Sequence, residues 1–114
     1  MNESTESIFE IVTGFRSRGE ILRSMVVGHA TLYPESDHYF VRLMIFPGMT
    51  YYLSKNRSSN DSYTLFAKKT FINGEVRLQN PVGTGRMLGD VKTHLEMRIP
   101  LLNLSLFMSL FPKN

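Results

Sequence analysis

Asn73-Gly74 stands between two alternating runs, SYTLFAKKTFI and EVRLQ, and no other feature of the chain narrows its fold as much. Both residues tolerate positive φ, so they favour a two-residue type I′ turn whose twist matches that of the flanking strands. A hairpin built this way is antiparallel. It is marginal in isolation, so other parts of the chain must supply strands to cover its apolar face.

The same period of two runs through most of residues 20–111. GEILRSMVVGHATLY is long and β-branched, with Gly28 near its middle, where an isolated glycine marks a bulge or a close backbone approach. Pro34-Glu35-Ser36-Asp37 makes a turn. In HYFVRLMIF, Tyr39, Val41, Leu43 and Ile45 form one continuous apolar face, while His38, Phe40, Arg42, Met44 and Phe46 form a mixed one. Pro47-Gly48 ends that strand, a short strand MTYYLSK follows, and KNRSSND at 55–61 is a loop without an apolar residue. NPVGTGRMLG at 80–89, rich in glycine, reads as another loop. DVKTHLEMRI alternates again, with Val91, Thr93, Leu95, Met97 and Ile99 on one side. LLNLSLFMSLF also alternates, but Pro100 suits the first turn of a helix and no residue after it is β-branched, which leaves residues 101–111 open between helix and strand.

Residues 4–18 read as a helix. Ser4 or Thr5 caps it, Glu6 suits its positive first turn, and Ile8, Phe9, Ile11, Val12 and Phe15 lie near one face. Arg16, Arg18 and Gly19 fit its end. Such a helix covers one open face of a sheet or serves as an amphipathic arm for a partner. No internal repeat, linker or low-complexity tract divides the chain, so residues 1–114 are expected to form one domain, a helix at 4–18 followed by a β-rich body at 20–111. The expected fold is mainly β with a minor α part: a small antiparallel barrel or strongly curved sheet of six to seven strands, with the helix packed on it.

Several chemistries are excluded. The chain has no Cys, which removes a disulfide scaffold, a zinc ribbon, an iron–sulfur site and a thiol nucleophile. His29, His38 and His94 fall in no metal-binding spacing, so neither a metal nor another cofactor is expected. Gly83-Thr84-Gly85-Arg86-Met87-Leu88-Gly89 misses the dinucleotide fingerprint by one residue and lacks the ending of a P-loop, though Arg86 within a glycine-rich loop could grip an anion. There is no nucleophile elbow and no Ser-x-x-Lys pair, and the carboxylates are isolated, so the chain reads as non-catalytic. No run of about 18 uncharged apolar residues is present. The opening MNESTESIFEIV is acidic where a signal peptide would be basic. The expectation is a cytoplasmic protein without a membrane partner.

The formal net charge is +3, and the basic excess falls in residues 38–114, where the only acids are Asp61, Glu75, Asp90 and Glu96. Cations interleave there with aromatics, the combination that single-stranded nucleic acid needs for stacked bases and a followed backbone. The expected contacts are Tyr52, Lys55, Arg57, Phe66, Lys68 and Arg86, with an acidic protein as the other partner a basic surface can attract. The competing expectation is a protein-interaction or self-assembly subunit, a homodimer in the simplest case. It would bury Leu102, Leu104, Leu106, Met108 and Leu110, which share one side if residues 101–111 are a strand.

Overall fold

Each strand of this chain pairs antiparallel with the strand before and the strand after it, and the last returns to the first, in a computed structural model that describes residues 5–114. The strands are β1 (Ser7–Ser17), β2 (Glu20–Leu32), β3 (His38–Leu43), β4 (Tyr51–Lys55), β5 (Ser62–Ile72), β6 (Glu75–Met87), β7 (His94–Ile99) and β8 (Leu104–Ser109). They close into a barrel, which leaves no open sheet edge around the ring. The mainly β antiparallel expectation is met with eight strands, not six or seven.

The expected helix at 4–18 is instead strand β1, Ser4 lying outside the described residues. The apolar positions Ile8, Phe9, Ile11 and Val12 suit a helical stripe and a strand about equally. Partners on both sides decide it: β2 runs alongside the whole of β1, and β8 meets it at Ile11 and Val12. As a strand, β1 puts Phe9 and Ile11 into the barrel core and Val12 into a separate cluster outside it. Beyond β8 the chain continues beside β1, where Lys113 N donates to Ile8 O at 2.6 Å and the Asn114 side chain bonds both Ile8 N and Glu6 O.

Two other expectations change. Most of the glycine-rich stretch at 80–89 belongs to β6, not to a loop. Residues 101–111 resolve as strand: Pro100–Leu102 form one 3-10 turn, Asn103 ends it in the left-handed conformation, and β8 follows. The Asn73-Gly74 turn stands as expected, with φ of 53° and 82°.

The barrel is filled. Ile11, Leu53, Leu65, Leu95, Met97, Leu106 and Met108 are fully buried in its interior. An eight-stranded barrel is just wide enough for side chains to occupy its centre, and burying residues of this size contributes about 1.5–3 kcal/mol each. A ligand must therefore be sought outside the core.

What projects outside are two long hairpin arms. β3 pairs with β2 only over Gly28–Thr31, and β4 with β5 only over Tyr63–Phe66, so the far halves of the β1–β2 and β5–β6 hairpins are two-stranded. Each arm springs from a bulge, at Val27 in one and Val82 in the other. Beside each bulge lies a glycine whose place no other residue can take. A Cβ on Gly28 would run into the Arg42 carbonyl oxygen, and one on Gly83 into that of Arg98.

Candidate functional site

The β5–β6 arm reaches back over the outer face of β3 and β4. It carries Lys69 to 4.4 Å from the centre of the Phe40 ring and 5.7 Å from that of Tyr52. Alternation places Phe40 and Tyr52 outward, since their neighbours Val41 and Leu53 point into the core. Around Phe40 the rings gather: Tyr33 meets it edge-on at 5.2 Å, Tyr52 at 5.5 Å, and His38 stacks on it at 5.3 Å. Between arm and barrel lies an open groove of about 740 Å³. Its walls are Tyr33, Phe40 and His38 on the barrel side, Lys69, Glu75 and Val76 on the arm, Arg57 from the β4–β5 loop, and Glu35, Ser36 and Asp37 from the β2–β3 turn.

His38 anchors the floor. Its side chain is 7% exposed, its Nδ1 lies 2.9 Å from Asp37 Oδ1, and its buried Nε2 has no hydrogen-bond partner. The bond from His38 holds the Asp37 carboxyl below the usual carboxylate range. A buried ring nitrogen without a partner is uncommon and marks a polar position that the fold itself leaves unsatisfied.

The expected nucleic-acid residues converge only in part. Tyr52 lies beneath Lys69, and Arg57 lines the groove. Phe66 pairs with Tyr52 at the root of the arm. Lys68, Lys55 and Arg86 do not line the groove. Arg86 is engaged elsewhere, its Nε donating to Glu96 Oε1 at 3.1 Å, and it sits on a strand, which removes the reading of a glycine-rich anion loop. The interface residues fare differently. Leu106 and Met108 are in the barrel core with Leu104 and Leu110 packed against it, and only Leu102 is exposed, so a folded monomer cannot present the five as a surface. The alternation of β5 leaves Phe66 with Lys68 and Tyr63 with Lys69 as equal candidates for an outer face, and it does not point to Tyr33 or Phe40, because nothing in the pattern says that the arm turns back on the barrel.

The outer face of β7 and β8 is covered quite differently. There the β1–β2 arm packs down through Ile21 and Val26 on Val12, Leu88, Val91 and Phe107. Arg16 on the arm donates two hydrogen bonds to Asp90 Oδ1, at 2.6 and 3.1 Å. That pairing holds the Asp90 carboxyl below its usual range. His94 is half-buried, and burial pushes its pKa down.

Among the described residues no group of three or more potential ligands could hold a metal ion, and no helix is long and apolar enough to cross a membrane. Comparisons with protein-family models, with curated proteins and with solved structures each find no match to this chain.

Proposed function

We propose that this is a non-catalytic binding domain whose groove beneath the β5–β6 arm takes the exposed bases of single-stranded nucleic acid. The observation that carries the reading is the meeting of an aromatic wall, Tyr33 and Phe40, with the cations Lys69 and Arg57 in one groove of about 740 Å³. That volume lies in the range of small-ligand sites and accepts one or two nucleotide units. A base stacks on the rings while its phosphate meets Arg57 or Lys69. Glu35, Asp37 and Glu75 at the rim oppose a long polyanion, so few phosphates are in contact. The experiment is fluorescence anisotropy with a labelled oligothymidine strand. Two phosphate contacts give a slope of log K on log salt of about −1.4. Lys69→Ala and Arg57→Ala each flatten that slope; no binding at about 50 mM salt, where backbone contacts are strong, overturns the reading.

A second reading has its own observation. A cavity of about 610 Å³ opens at the end of the barrel, lined by Phe46, Tyr51, Val82, Ile99, Leu101 and Leu102. Leu101 and Leu102 are exposed there, as are Met44, Ile45 and Met49 nearby in sequence to Phe46. Self-assembly with a second copy would use this turn in place of β8. Sedimentation at high concentration tests it: a dimer that Leu101→Asp converts to a folded monomer supports it, and a monomeric parent removes it.

A further inference from the structure

Residues 20–32 and 75–87 align without a gap, although the β1–β2 arm has a second register shift, between Thr13 and Phe15, that the β5–β6 arm lacks. Arg18-Gly19 and Asn73-Gly74 form matching turns, with φ of 48° and 85° in one and 53° and 82° in the other. Gly19-Glu20 and Gly74-Glu75 open β2 and β6, and Val27-Gly28 and Val82-Gly83 supply the bulge and the glycine in each. Those two glycines abut the carbonyls of Arg42 and Arg98. Arg42 follows His38 at the spacing with which Arg98 follows His94, and each histidine opens its strand. The Nδ1 of each histidine bonds a side-chain oxygen of the residue before it, Asp37 at 2.9 Å and Thr93 at 2.8 Å. Across the ladder, His38 pairs with Ser54 in Tyr52-Leu53-Ser54, and His94 pairs with Ser109 in Phe107-Met108-Ser109. The strand lengths repeat in the same order: 11, 13, 6 and 5 residues, then 11, 13, 6 and 6.

We infer that the chain is an internal duplication in which both halves inherited one groove under one arm, and that the β5–β6 arm is the unlatched flap over the copy kept open for a ligand. Counted from the matched Val-Gly, the β7–β8 side has Leu88, Asp90 and Val91 where the β3–β4 side has Tyr33, Glu35 and Ser36, and the turn is one residue longer before His94 than before His38. Val91 is 0% exposed beneath the β1–β2 arm, whereas Ser36 lines the open groove. Arg16, which latches the first arm to Asp90, corresponds to Phe71, which is 70% exposed on the second. One half fills its groove with its own side chains and pins the arm across it. The other lacks both filler and pin, and its arm rests Lys69 on Phe40.

Only the identity of the ligand rests on the nucleic-acid reading, and hydrogen exchange on the full chain separates the two. In the wild type, arm amides at 67–80 exchange at least about tenfold faster than those at 13–25, as expected of a weakly packed two-stranded segment. The latching variant Glu35→Asp/Ser36→Thr/Phe71→Arg changes no core residue and keeps a hydroxyl at position 36 for the His38 backbone; it slows exchange in the β5–β6 arm toward that of the β1–β2 arm and weakens oligothymidine binding. The unlatching variant Arg16→Phe/Val91→Ser speeds exchange at 13–25. Equal exchange of the two arms in the wild type, or a latching variant that leaves 67–80 unchanged, overturns the inference. A latch that responds as described in a protein that binds no oligothymidine upholds the duplication and the flap and removes the nucleic-acid reading alone.

Discussion

The outer faces of β3–β4 and β7–β8 carry the same backbone plan and opposite surface chemistry. On one, Tyr33, Phe40, His38 and Lys69 border an open, polar groove; on the other, Leu88, Val91, Phe107 and Val12 form an apolar cluster under a pinned arm. The bulge at the root of each arm, the glycine beside it and the histidine that opens the next strand are shared, so they are the requirements of the barrel. The side chains that differ decide whether the space beneath an arm is core or site. A function sought in what the two halves have in common would be sought in the scaffold; what they do not share is the better guide.

The largest expected effect falls on what the halves do share. Leu53 and Met108 occupy matched places and are both fully buried. Leu53→Ala and Met108→Ala are each expected to cost about 2–5 kcal/mol, since truncation of a buried side chain loses transfer energy and leaves a cavity. Urea unfolding followed by circular dichroism measures both. Losses of similar size support a core divided evenly between the repeats, and a core confined to one half would leave one of the two substitutions nearly silent. Leu106→Asp goes further: a charge placed in that interior prevents folding, so it yields no soluble monomer of native spectrum.

The faces themselves separate at the next level. Val91→Ser removes apolar volume from a closed cluster and puts a hydroxyl there, with an expected loss of about 1–3 kcal/mol. The reciprocal change is Ser36→Thr, which adds a methyl beside open space and keeps the hydroxyl that bonds the His38 backbone N and O; it should change stability by less than about 0.5 kcal/mol. Thermal melts of the two single variants decide this. A Ser36→Thr variant as damaging as Val91→Ser would mean that the groove under the β5–β6 arm is closed in solution.

Much of this architecture was legible because strand alternation and turn chemistry are local. The Asn73-Gly74 hairpin, the apolar face of β3 and the antiparallel meander all follow from residues within a few positions of one another. What was not legible depends on partners remote in sequence. Ile8, Phe9, Ile11 and Val12 satisfy two periodicities, and pairing with β2 on one side and with β8, at the far end of the chain, on the other selects the strand. The repeat was hidden for a related reason: outside its turns, bulges and buried positions, each half diversified its surface, leaving Gly-Glu, Val-Gly and the His-to-Arg spacing too sparse to stand out. For the site, Tyr52 and Arg57 were reachable from the mixture of rings and cations. Lys69 was not preferred over Lys68 because the choice depends on how the arm bends at Val82. Arg86 was misjudged because its partner Glu96 lies on the neighbouring strand.

The smallest expected effect is a difference in how the two faces respond to acid. Burial lowers the His94 pKa in the folded protein, so the unfolded chain takes up a proton there first as the pH falls. His94 therefore adds stability above the ordinary histidine range, and that contribution is lost as the pH drops through about 6.5 toward the folded value. Asp90 acts lower on the scale. Its folded pKa is depressed by Arg16, so its stabilising effect is present above the ordinary carboxylate range and disappears as the pH falls through the folded value. Asp37, depressed by its bond from His38, is lost in that same acid window, so acid below the carboxylate range loosens both faces. Between about pH 7 and 5 the titration of His94 acts on the closed face, since its window lies apart from that of the carboxylates. Melting temperatures across that interval should fall less steeply in His94→Gln than in the wild type, with hydrogen exchange at 88–93 rising in the wild type and not in the variant. A His94→Gln protein that keeps the wild-type slope would place the titrating group elsewhere and remove acid sensitivity as a mark of the closed face.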